Sequence, residues 1–421
     1  MTGRDGELRF LKQYYDREGS QILVVYGQRG VGKTALLHCF SEGKKCAFYC
    51  ARACSEREQR YQWAVELKEE GKELSRYPEY LELFNQVFTE EETEKQVLVI
   101  EEFHHIIKSD AAFLPELIRF LENRRLARPV MVILCTSASG WVENSMIPRI
   151  GSQAAAISGL LKVRELRYED VRKLFPAYSE EDSVRIYAAL GGIPGLWSIF
   201  SEKLSAKDNL IQNILRKDSR LHEEMSYYMA EELREPAVYN TILAVMATGC
   251  NKLNDIYRHT GFSRAKISVY LKNLMELELV EKVFSGTYRI ANPYVRFYFS
   301  FLFPHKSSLS RLTPEEYYHK YVEQTYSDYV EEAYRKICRD KLLQEYSKVE
   351  EWCWKPGMVY LRAEKADGSL LVAACSYTGN FTEEDREWML FSMKKSKLKA
   401  EETYLFTPDK KDGNLWKKVC L

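Results

Sequence analysis

The sequence has little of what would assign the chain to a membrane, to the secreted proteins or to a strongly charged class. No apolar run is long enough to suggest a membrane span, and the N-terminus lacks the basic start and apolar core of a secretory signal. Lys and Arg together number 61, as do Asp and Glu, so binding to nucleic acid or membrane would need a local patch. We expect a cytoplasmic globular protein without a membrane contact.

Cysteine is too sparse to form a disulfide scaffold, since there are 10 cysteines in 421 residues. Cys46, Cys50 and Cys54 form a cluster with a spacing of four residues. It contains no C-x-x-C pair, and no His follows closely to complete a tetrahedral zinc site. Small buried cysteines explain this cluster better than a metal does.

The first part of the chain alternates strand and helix signals, as a parallel sheet covered by helices requires. Short apolar runs predict four strands, at residues 21–26, 46–51, 97–100 and 130–135. Helical patterns lie between them, at residues 33–40, 56–88 and 113–123. This alternation predicts the α/β fold of a nucleotide-binding domain.

The pattern after residue 162 is almost wholly helical, apart from a break at the Gly- and Pro-rich turn 191–195. Three further helices followed by a hairpin around Ser285 and Gly286 predict a winged helix. The last part begins as a helix and then gives strand signals at 358–363 and 370–376. We therefore predict four parts: an ATPase core at 1–160, a helical lid at 161–235, a winged helix at 236–305 and a C-terminal α/β domain at 306–421.

A complete phosphate-binding motif, G-x-x-x-x-G-K-T, lies between the first predicted strand and its helix. Its members are Gly27, Gln28, Arg29, Gly30, Val31, Gly32, Lys33 and Thr34. The glycines let backbone N–H groups turn toward phosphate oxygens, and the helix N-terminus adds its positive end. Lys33 is expected at the β- and γ-phosphates and Thr34 on Mg²⁺. The motif therefore predicts binding of ATP with Mg²⁺.

Polar residues follow the next two predicted strands, at the sheet edge where ligands bind. Glu101 is predicted to join Thr34 around Mg²⁺, and Glu102 to act on the attacking water. Ser137 is placed to sense the γ-phosphate or the water, although such residues also cap helices. Arg149 is a candidate arginine finger, in cis or from a neighbour, with a plain surface arginine as the alternative.

Several segments together resemble the archaeal-type ATPases, which are prokaryotic P-loop proteins of the STAND group related to AAA+ ATPases. The segments occur in order through residue 305, and they are Arg4 with Glu7, Gly27 to Thr34, Glu101 to His104, Cys135 to Ser139, Gly191 to Pro194, and Arg289 to Phe297. The resemblance implies an α/β P-loop NTPase fold with a parallel sheet, AAA+/STAND-like, and a contact between Pro194 and the nucleotide. It also implies a switch in which bound ATP holds the lid and winged helix in one arrangement.

One departure from the family pattern concerns hydrolysis. The family usually has Asp-Glu-Phe-Gln where this chain has Glu101-Glu102-Phe103-His104. The extra methylene of Glu101 shifts the metal shell, which affects turnover more than ATP binding. The leading hypothesis is an ATP-hydrolysing regulatory switch, and the alternative is a non-hydrolysing ATP-binding interaction protein.

A second departure concerns the C-terminal domain, which in many members resembles a restriction-type nuclease. Such domains carry an acidic residue on one strand and Glu-x-Lys on the next, because the carboxylates hold a metal. Here Tyr360, Ala374 and Ser376 stand at those positions, and the upstream Glu331 and Glu332 cannot replace all three. We expect a degenerate domain without nuclease activity that serves as a docking surface.

The predicted winged helix raises the question of DNA binding. Arg264, Lys266 and Lys272 lie on its candidate recognition helix and are able to meet phosphates. These basic groups are few, and acidic residues follow them directly. Winged helices also dock proteins, so DNA and a protein partner are equal alternatives.

Overall fold

The computed structural model of the chain describes residues 1–88, 94–123, 129–222, 235–283, 286–354, 358–409 and 414–420, with backbone alone for 409 and 414–420. The chain forms two compact units, Met1–Leu166 with Ile193–Gly195 and Arg167–Gly192 with Leu196–Leu421. Residues 223–234 of the predicted lid and Ser285 of the predicted hairpin turn lie outside the described residues. The four-part division of the sequence stays a prediction.

The first unit contains a five-stranded sheet in the order β2-β3-β4-β1-β5. Its strands are β1 (Gln21–Tyr26), β2 (Cys46–Cys50), β3 (Gln96–Glu101), β4 (Val130–Thr136) and β5 (Gly159–Lys162). All neighbouring strands run parallel, which confirms the predicted parallel sheet. The sequence did not reveal β5, because this edge strand is short and only partly buried, with Leu160 47% exposed.

Alternate residues of the sheet face two separate apolar cores, as the period of two in a strand requires. Leu23 and Val25 pack on one face, whereas Ile22 and Val24 pack on the other. With both faces covered, the parallel strands are apolar almost throughout, which is why their runs are recognisable in the sequence.

The main helices of the first unit are α1 (Asp5–Tyr15), α2 (Lys33–Ser41), α3 (Glu56–Glu69), α4 (Tyr80–Val87), α5 (His104–Ser109) and α6 (Phe113–Asn123). Short helical turns follow at Ser139–Trp141, Val142–Met146, Ile147–Ile150 and Gly151–Ala156. The stretch predicted as helical over 56–88 contains two helices, α3 and α4, with a break between them. Gly71, at φ +84°, adopts the left-handed conformation just after α3 and ends it.

The second unit begins with helices, at Tyr168–Leu174, Glu180–Leu190, Ala206–Leu210 and Ile211–Leu215. A short helix, Pro194–Trp197, starts within the residues 193–195 that belong to the first unit. The region of the predicted winged helix has helices at Pro236–Ala247, Leu253–Thr260 and Arg264–Glu276, and strands β6 (Val280–Lys282) and β7 (Tyr288–Ile290). These two strands pair antiparallel. The winged-helix assignment itself stays a prediction.

Helices continue at Pro293–Phe297, Tyr298–Leu302, Phe303–His305, Lys306–Leu309, Pro314–Tyr321 and Glu323–Leu342. A second five-stranded sheet follows, in the order β12-β11-β10-β9-β8. Its strands are β8 (Lys348–Trp352), β9 (Tyr360–Glu364), β10 (Leu370–Cys375), β11 (Glu402–Asp409) and β12 (Asn414–Cys420), with helix Glu383–Lys395 between β10 and β11. Only β10 and β11 run parallel. The sequence predicted β9 and β10 and missed the other three strands.

Candidate nucleotide-binding site

The predicted phosphate-binding motif forms the connection between β1 and α2. Gly30 and Gly32 have φ values of +78° and +98°, which favour glycine over residues with a side chain. Gly27 has a different constraint, because a Cβ there would lie 2.2 Å from the carbonyl oxygen of Val163. The three glycines are therefore required by the backbone path, before any ligand is considered.

Lys33 opens α2 and is buried, with 7% of its surface exposed. Its ammonium group donates to the carbonyl oxygens of Gly27 at 2.8 Å and Gln28 at 3.0 Å. Burial lowers the pKa of Lys33, against the opposing effect of the carboxylates of Glu102 and Glu101. The loop thus holds a desolvated cation against its own backbone.

Thr34 and Glu101, which the sequence predicts to share a metal, lie in direct contact. The Thr34 hydroxyl donates to Oε1 of Glu101 at 2.5 Å. Glu101 is the last residue of β3, so the sheet delivers its carboxylate to the start of α2. A hydroxyl and a carboxylate are oxygen ligands of the kind that Mg²⁺ prefers, and the pair fits such an ion.

Glu102 adopts φ +48°, which is uncommon for a residue with a side chain. Its Oε2 accepts hydrogen bonds from the backbone N–H and the hydroxyl of Ser137, both at 3.0 Å, and from the hydroxyl of Thr136 at 3.2 Å. Every contact that the described residues make to this carboxylate falls on Oε2. The Oε1 atom is therefore left for another donor.

The electrostatics of Glu102 favour a permanent carboxylate. Burial raises its pKa, but the hydrogen bonds from His104 and Ser137 outweigh that effect and lower the pKa to about 2. Such a group is a poor proton acceptor near neutral pH and a good hydrogen-bond acceptor.

His104 is a site residue to which the sequence reasoning gave no role. It is buried, and its Nδ1 lies 2.8 Å from the Thr136 hydroxyl and 3.3 Å from Oε2 of Glu102. The available signal was that His stands where the family usually has Gln. Both Gln and His can form a hydrogen bond at a similar distance from the backbone, so the exchange indicates that this position makes a polar contact.

The predicted Pro194 opens the short helix Pro194–Trp197, and Ile193–Gly195, which we call the turn, contacts the phosphate-binding motif. The neighbouring Gly195 donates its N–H to the carbonyl oxygen of Gly30 at 3.0 Å. A Cβ on Gly195 would lie 2.9 Å from that same oxygen, so only glycine fits. Ile193–Gly195 belong to the first unit although the residues on both sides belong to the second.

Two arginines lie around the site in different ways. Arg4 is 2% exposed and donates to the carbonyl oxygen of Val31 at 2.7 Å, so it holds the motif from the N-terminus of the chain. Arg149 donates to the backbone carbonyls of Ile107 at 2.9 Å and Lys108 at 2.6 Å. The role of Arg149 as an arginine finger stays a prediction.

The three cations predicted to meet DNA each have a partner within their own region. Arg264 donates to Asn254 at 3.0 Å, Lys266 lies 3.9 Å from Glu235, and Lys272 lies 3.8 Å from Glu276. Their side chains are partly exposed, and such pairs on a surface are weak. They leave DNA binding as a prediction.

The residues that replace the nuclease positions lie in the second sheet. Tyr360 and Ala374 are buried in an apolar cluster with Val372, Met389 and Met393. Ser376 is 7% exposed and lies just after β10. Across the residues that the structure describes, no helix is both long and apolar enough to span a membrane.

Comparison with known proteins gives two kinds of similarity. Residues 1–198 match a family model described as an ATPase domain predominantly from Archaea. The chain is 26% identical over 389 residues to an uncharacterized protein of Methanocaldococcus jannaschii, covering 87% of this chain and 83% of that protein. The solved structure of a Walker-type ATPase of Pyrococcus abyssi is similar with a TM-score of 0.53 and 17% identity, over 71% of this chain and 96% of that chain. This structural likeness supports the α/β P-loop NTPase fold.

Proposed function

We propose that the chain binds ATP with Mg²⁺ and hydrolyses it as a regulatory switch, because residues 1–198 match the family model of an ATPase domain predominantly from Archaea. The observation that carries the proposal is the contact of 2.5 Å between the Thr34 hydroxyl and Glu101. These residues are far apart in the sequence, and their meeting at the start of α2 gives Mg²⁺ its oxygen ligands beside Lys33.

The phosphate-binding motif provides the ground-state contacts. Backbone N–H groups of Gln28 to Thr34 would donate hydrogen bonds to the phosphate oxygens, and Lys33 would contribute its ammonium group at the β- and γ-phosphates. Thr34 and Glu101 would hold Mg²⁺, which neutralises charge on these phosphates when bound. The longer side chain of Glu101 meets Thr34 directly, so the Glu for Asp exchange in the family pattern is compatible with a metal site.

Glu102 has the role of orienting the attacking water through its Oε1 atom. With a pKa of about 2, the carboxylate stays ionised and accepts a hydrogen bond from water rather than removing its proton early. This suits phosphoryl transfer, in which positioning and charge stabilisation supply most of the catalysis. Ser137 and His104 fix the other oxygen, and we assign both as positioning residues.

The switch operates through the turn Ile193–Gly195. The hydrogen bond from Gly195 to Gly30 connects this turn to the phosphate-binding motif. Since the chain enters and leaves the turn from the second unit, a shift of the motif on hydrolysis would pull on both flanking segments. Within this turn, we place Pro194 nearest the nucleotide. Arg149 would add positive charge at the transferring phosphate, either from the same chain or from a neighbouring subunit.

The output of the switch is a contact of the predicted winged helix and C-terminal domain with a partner. Arg264, Lys266 and Lys272 support a weak and salt-dependent contact with DNA, whereas their acidic neighbours support a protein partner. The buried Tyr360 and Ala374 support a domain without nuclease activity. The nine described cysteines are all free, which supports a reducing compartment such as the cytoplasm.

The test compares phosphate release and ATP binding in the wild type and in Glu102→Gln. We expect the variant to bind ATP normally and to lose about 100-fold in turnover, because an amide cannot replace the carboxylate at the water. If both proteins bind ATP and neither releases phosphate, the chain is a non-hydrolysing ATP-binding interaction protein instead. Glu384→Gln, an exposed carboxylate of the second unit, is the matched control.

A further inference from the structure

The exposed rings of Trp388 and Phe391 on the helix Glu383–Lys395 form a cluster with the half-buried Trp354, which follows β8, and we call these three rings the aromatic patch. Trp388 and Phe391 are 40% and 42% exposed and stack with a centroid distance of 5.6 Å at 27°. Trp354 meets the edge of Phe391 at 5.4 Å and lies 6.0 Å from Trp388. Met389, on the opposite side of this helix, is fully buried against the second sheet. The helix therefore has a core face and a second, solvent-facing aromatic face.

Positive charge continues directly from the aromatic patch. Lys394, Lys395, Lys397 and Lys399 are all exposed, and none forms an ion pair with any residue that the structure describes. The ammonium group of Lys395 lies 5.4 Å from the centre of the Phe391 ring, so the lysine run begins at the patch itself. Four cations without an ion-pair partner among the described residues raise the positive potential beside the stacked rings, and this potential attracts an anionic ligand.

The opposite end of the helix limits where an anion can lie. Glu383, Glu384 and Glu387 are exposed around the first turns, and Arg386 is paired with Glu383 at 2.7 Å. These carboxylates repel phosphate, so an anionic chain is confined to the aromatic patch and the lysines that follow it. Along the chain, the carboxylates therefore come first, the aromatic rings follow, and the lysines come last.

We propose that the aromatic patch and the four lysines bind single-stranded nucleic acid. Aromatic rings offer stacking platforms to unpaired bases, and cations along the same path neutralise the backbone phosphates. A stable protein interface would need about 800 Å² on each partner, with a largely apolar centre. The flanks here are charged, and among the described residues of this surface the large apolar side chains that are exposed are Trp388, Leu390 and Phe391, so a flexible anionic strand fits better than a folded protein.

The experiment measures binding of the full chain to a fluorescein-labelled oligo(dT) of about 20 nucleotides by anisotropy at about 50 mM salt, without ATP. We expect Trp388→Ala to weaken binding about tenfold, because one stacking platform is lost. Trp388→Phe keeps a ring and should stay close to the wild type. Replacing Lys394 and Lys399 with Ala should reduce the slope of log affinity against log salt by about 1.4.

Two further variants make the outcome decisive. Leu81→Ala removes a side chain that is 54% exposed in the first unit and should leave binding unchanged. Lys272→Ala tests the predicted winged helix in the same assay. Absence of binding by the wild type, equal binding by Trp388→Ala, or loss in Lys272→Ala alone would each overturn the proposal. A shift of Trp388→Ala from dimer to monomer in sedimentation, without a change in oligo(dT) affinity, would instead identify the patch as a contact between copies.

The ATPase proposal is not at stake in this assay. Phosphate release in the absence of nucleic acid should be equal in the wild type and Trp388→Ala, since the patch lies outside the unit that holds the phosphate-binding motif. An inactive ATPase that still binds oligo(dT) through Trp388 would separate the two proposals.

Discussion

Glu102 in the first unit and Glu331 in the second both use a carboxylate to hold the backbone that follows a buried strand. Glu102 accepts the N–H of Ser137, just after β4, and Glu331 accepts the N–H groups of Tyr377 at 2.9 Å and Thr378 at 3.0 Å, just after β10. Among the described residues, the hydrogen bonds to Glu102 all fall on Oε2, whereas Glu331 uses both oxygens: Tyr377 donates to Oε2, and the N–H and the hydroxyl of Thr378 donate to Oε1, the hydroxyl at 3.2 Å. Glu102 therefore has an oxygen that no described residue contacts, whereas both oxygens of Glu331 hold the chain after β10.

The two carboxylates also differ in the polarity of the sheet region near them. Glu102 lies beside Glu101 and the buried cation Lys33, so charge is concentrated at that edge of the first sheet. In the second sheet, Tyr360 and Ala374 fill the strands with apolar packing. The edge of the first sheet therefore gathers charged groups, whereas apolar side chains pack around Tyr360 and Ala374 in the second sheet.

The largest effect should come from Lys33→Ala, which would remove the buried ammonium group at the edge of the first sheet. We expect phosphate release to fall at least about 100-fold and ATP affinity to fall with it, because the only buried cation of the motif is lost from a desolvated site. Steady-state kinetics and equilibrium ATP binding measure both. Lys12→Ala on the exposed side of α1 should change neither, and retained turnover in Lys33→Ala would break the comparison.

The complementary change in the second unit is Glu331→Gln. An amide loses one acceptor and turns an N–H₂ group toward backbone donors, so we expect a loss of about 2 kcal/mol in the free energy of unfolding with unchanged ATP turnover. Urea unfolding followed by circular dichroism gives the stability. The comparison fails if Glu331→Gln lowers turnover as Glu102→Gln does while its stability stays normal.

Gly195→Ala tests the first unit alone, because it disturbs the packing of the turn Ile193–Gly195 on the phosphate-binding motif and leaves the carboxylates unchanged. The new Cβ would lie 2.9 Å from the carbonyl oxygen of Gly30 and 3.0 Å from its Cα, and both are backbone atoms that cannot move easily. Such overpacking costs about 1–3 kcal/mol, so we expect the KM for ATP to rise about tenfold. Gly6→Ala is the control, because nothing lies within 4 Å of a Cβ there. Equal KM values would remove the turn from the switch.

The smallest effect concerns the pH dependence of stability at His105, whose ring is tilted against that of His104 with the ring centroids 3.9 Å apart. Burial, with a smaller contribution from the charge of His104, lowers the pKa of His105 to about 4. The unfolded chain therefore binds a proton below about pH 6.5 that the folded chain takes up only near pH 4, and stability falls as the pH decreases through this window.

His105→Gln should remove this loss, which we place at about 1 kcal/mol after allowing for the partial exposure of the ring. Unfolding curves at pH 7.5 and pH 5 would measure it. The difference in stability between the two pH values should be smaller in the variant than in the wild type. An unchanged difference would mean that other groups control acid sensitivity at this sheet edge.

Much of the first unit could be predicted because its strands are buried on both faces and therefore read as continuous apolar runs. The edge strand β5 and the three missed strands of the second sheet lack that signal; Leu160, for example, is largely exposed. The break between α3 and α4 was missed because a single left-handed Gly71 ends the first helix within a charged segment that otherwise favours one. For the site, the residue types at Glu101 and Glu102 were predictable and the hydrogen bonds of His104 were not.

What the sequence determined by itself is the phosphate-binding motif, since eight adjacent residues contain both the glycines that its backbone requires and the Lys and Thr that its ligand requires. Tertiary structure alone decided that Thr34 meets Glu101, that Glu102 keeps one oxygen unused, and that Gly195 reaches Gly30. It also decided that Trp354 joins Trp388 and Phe391. The physical reason is that a local motif depends on the conformations of consecutive residues, whereas these contacts depend on strand register and packing between distant segments.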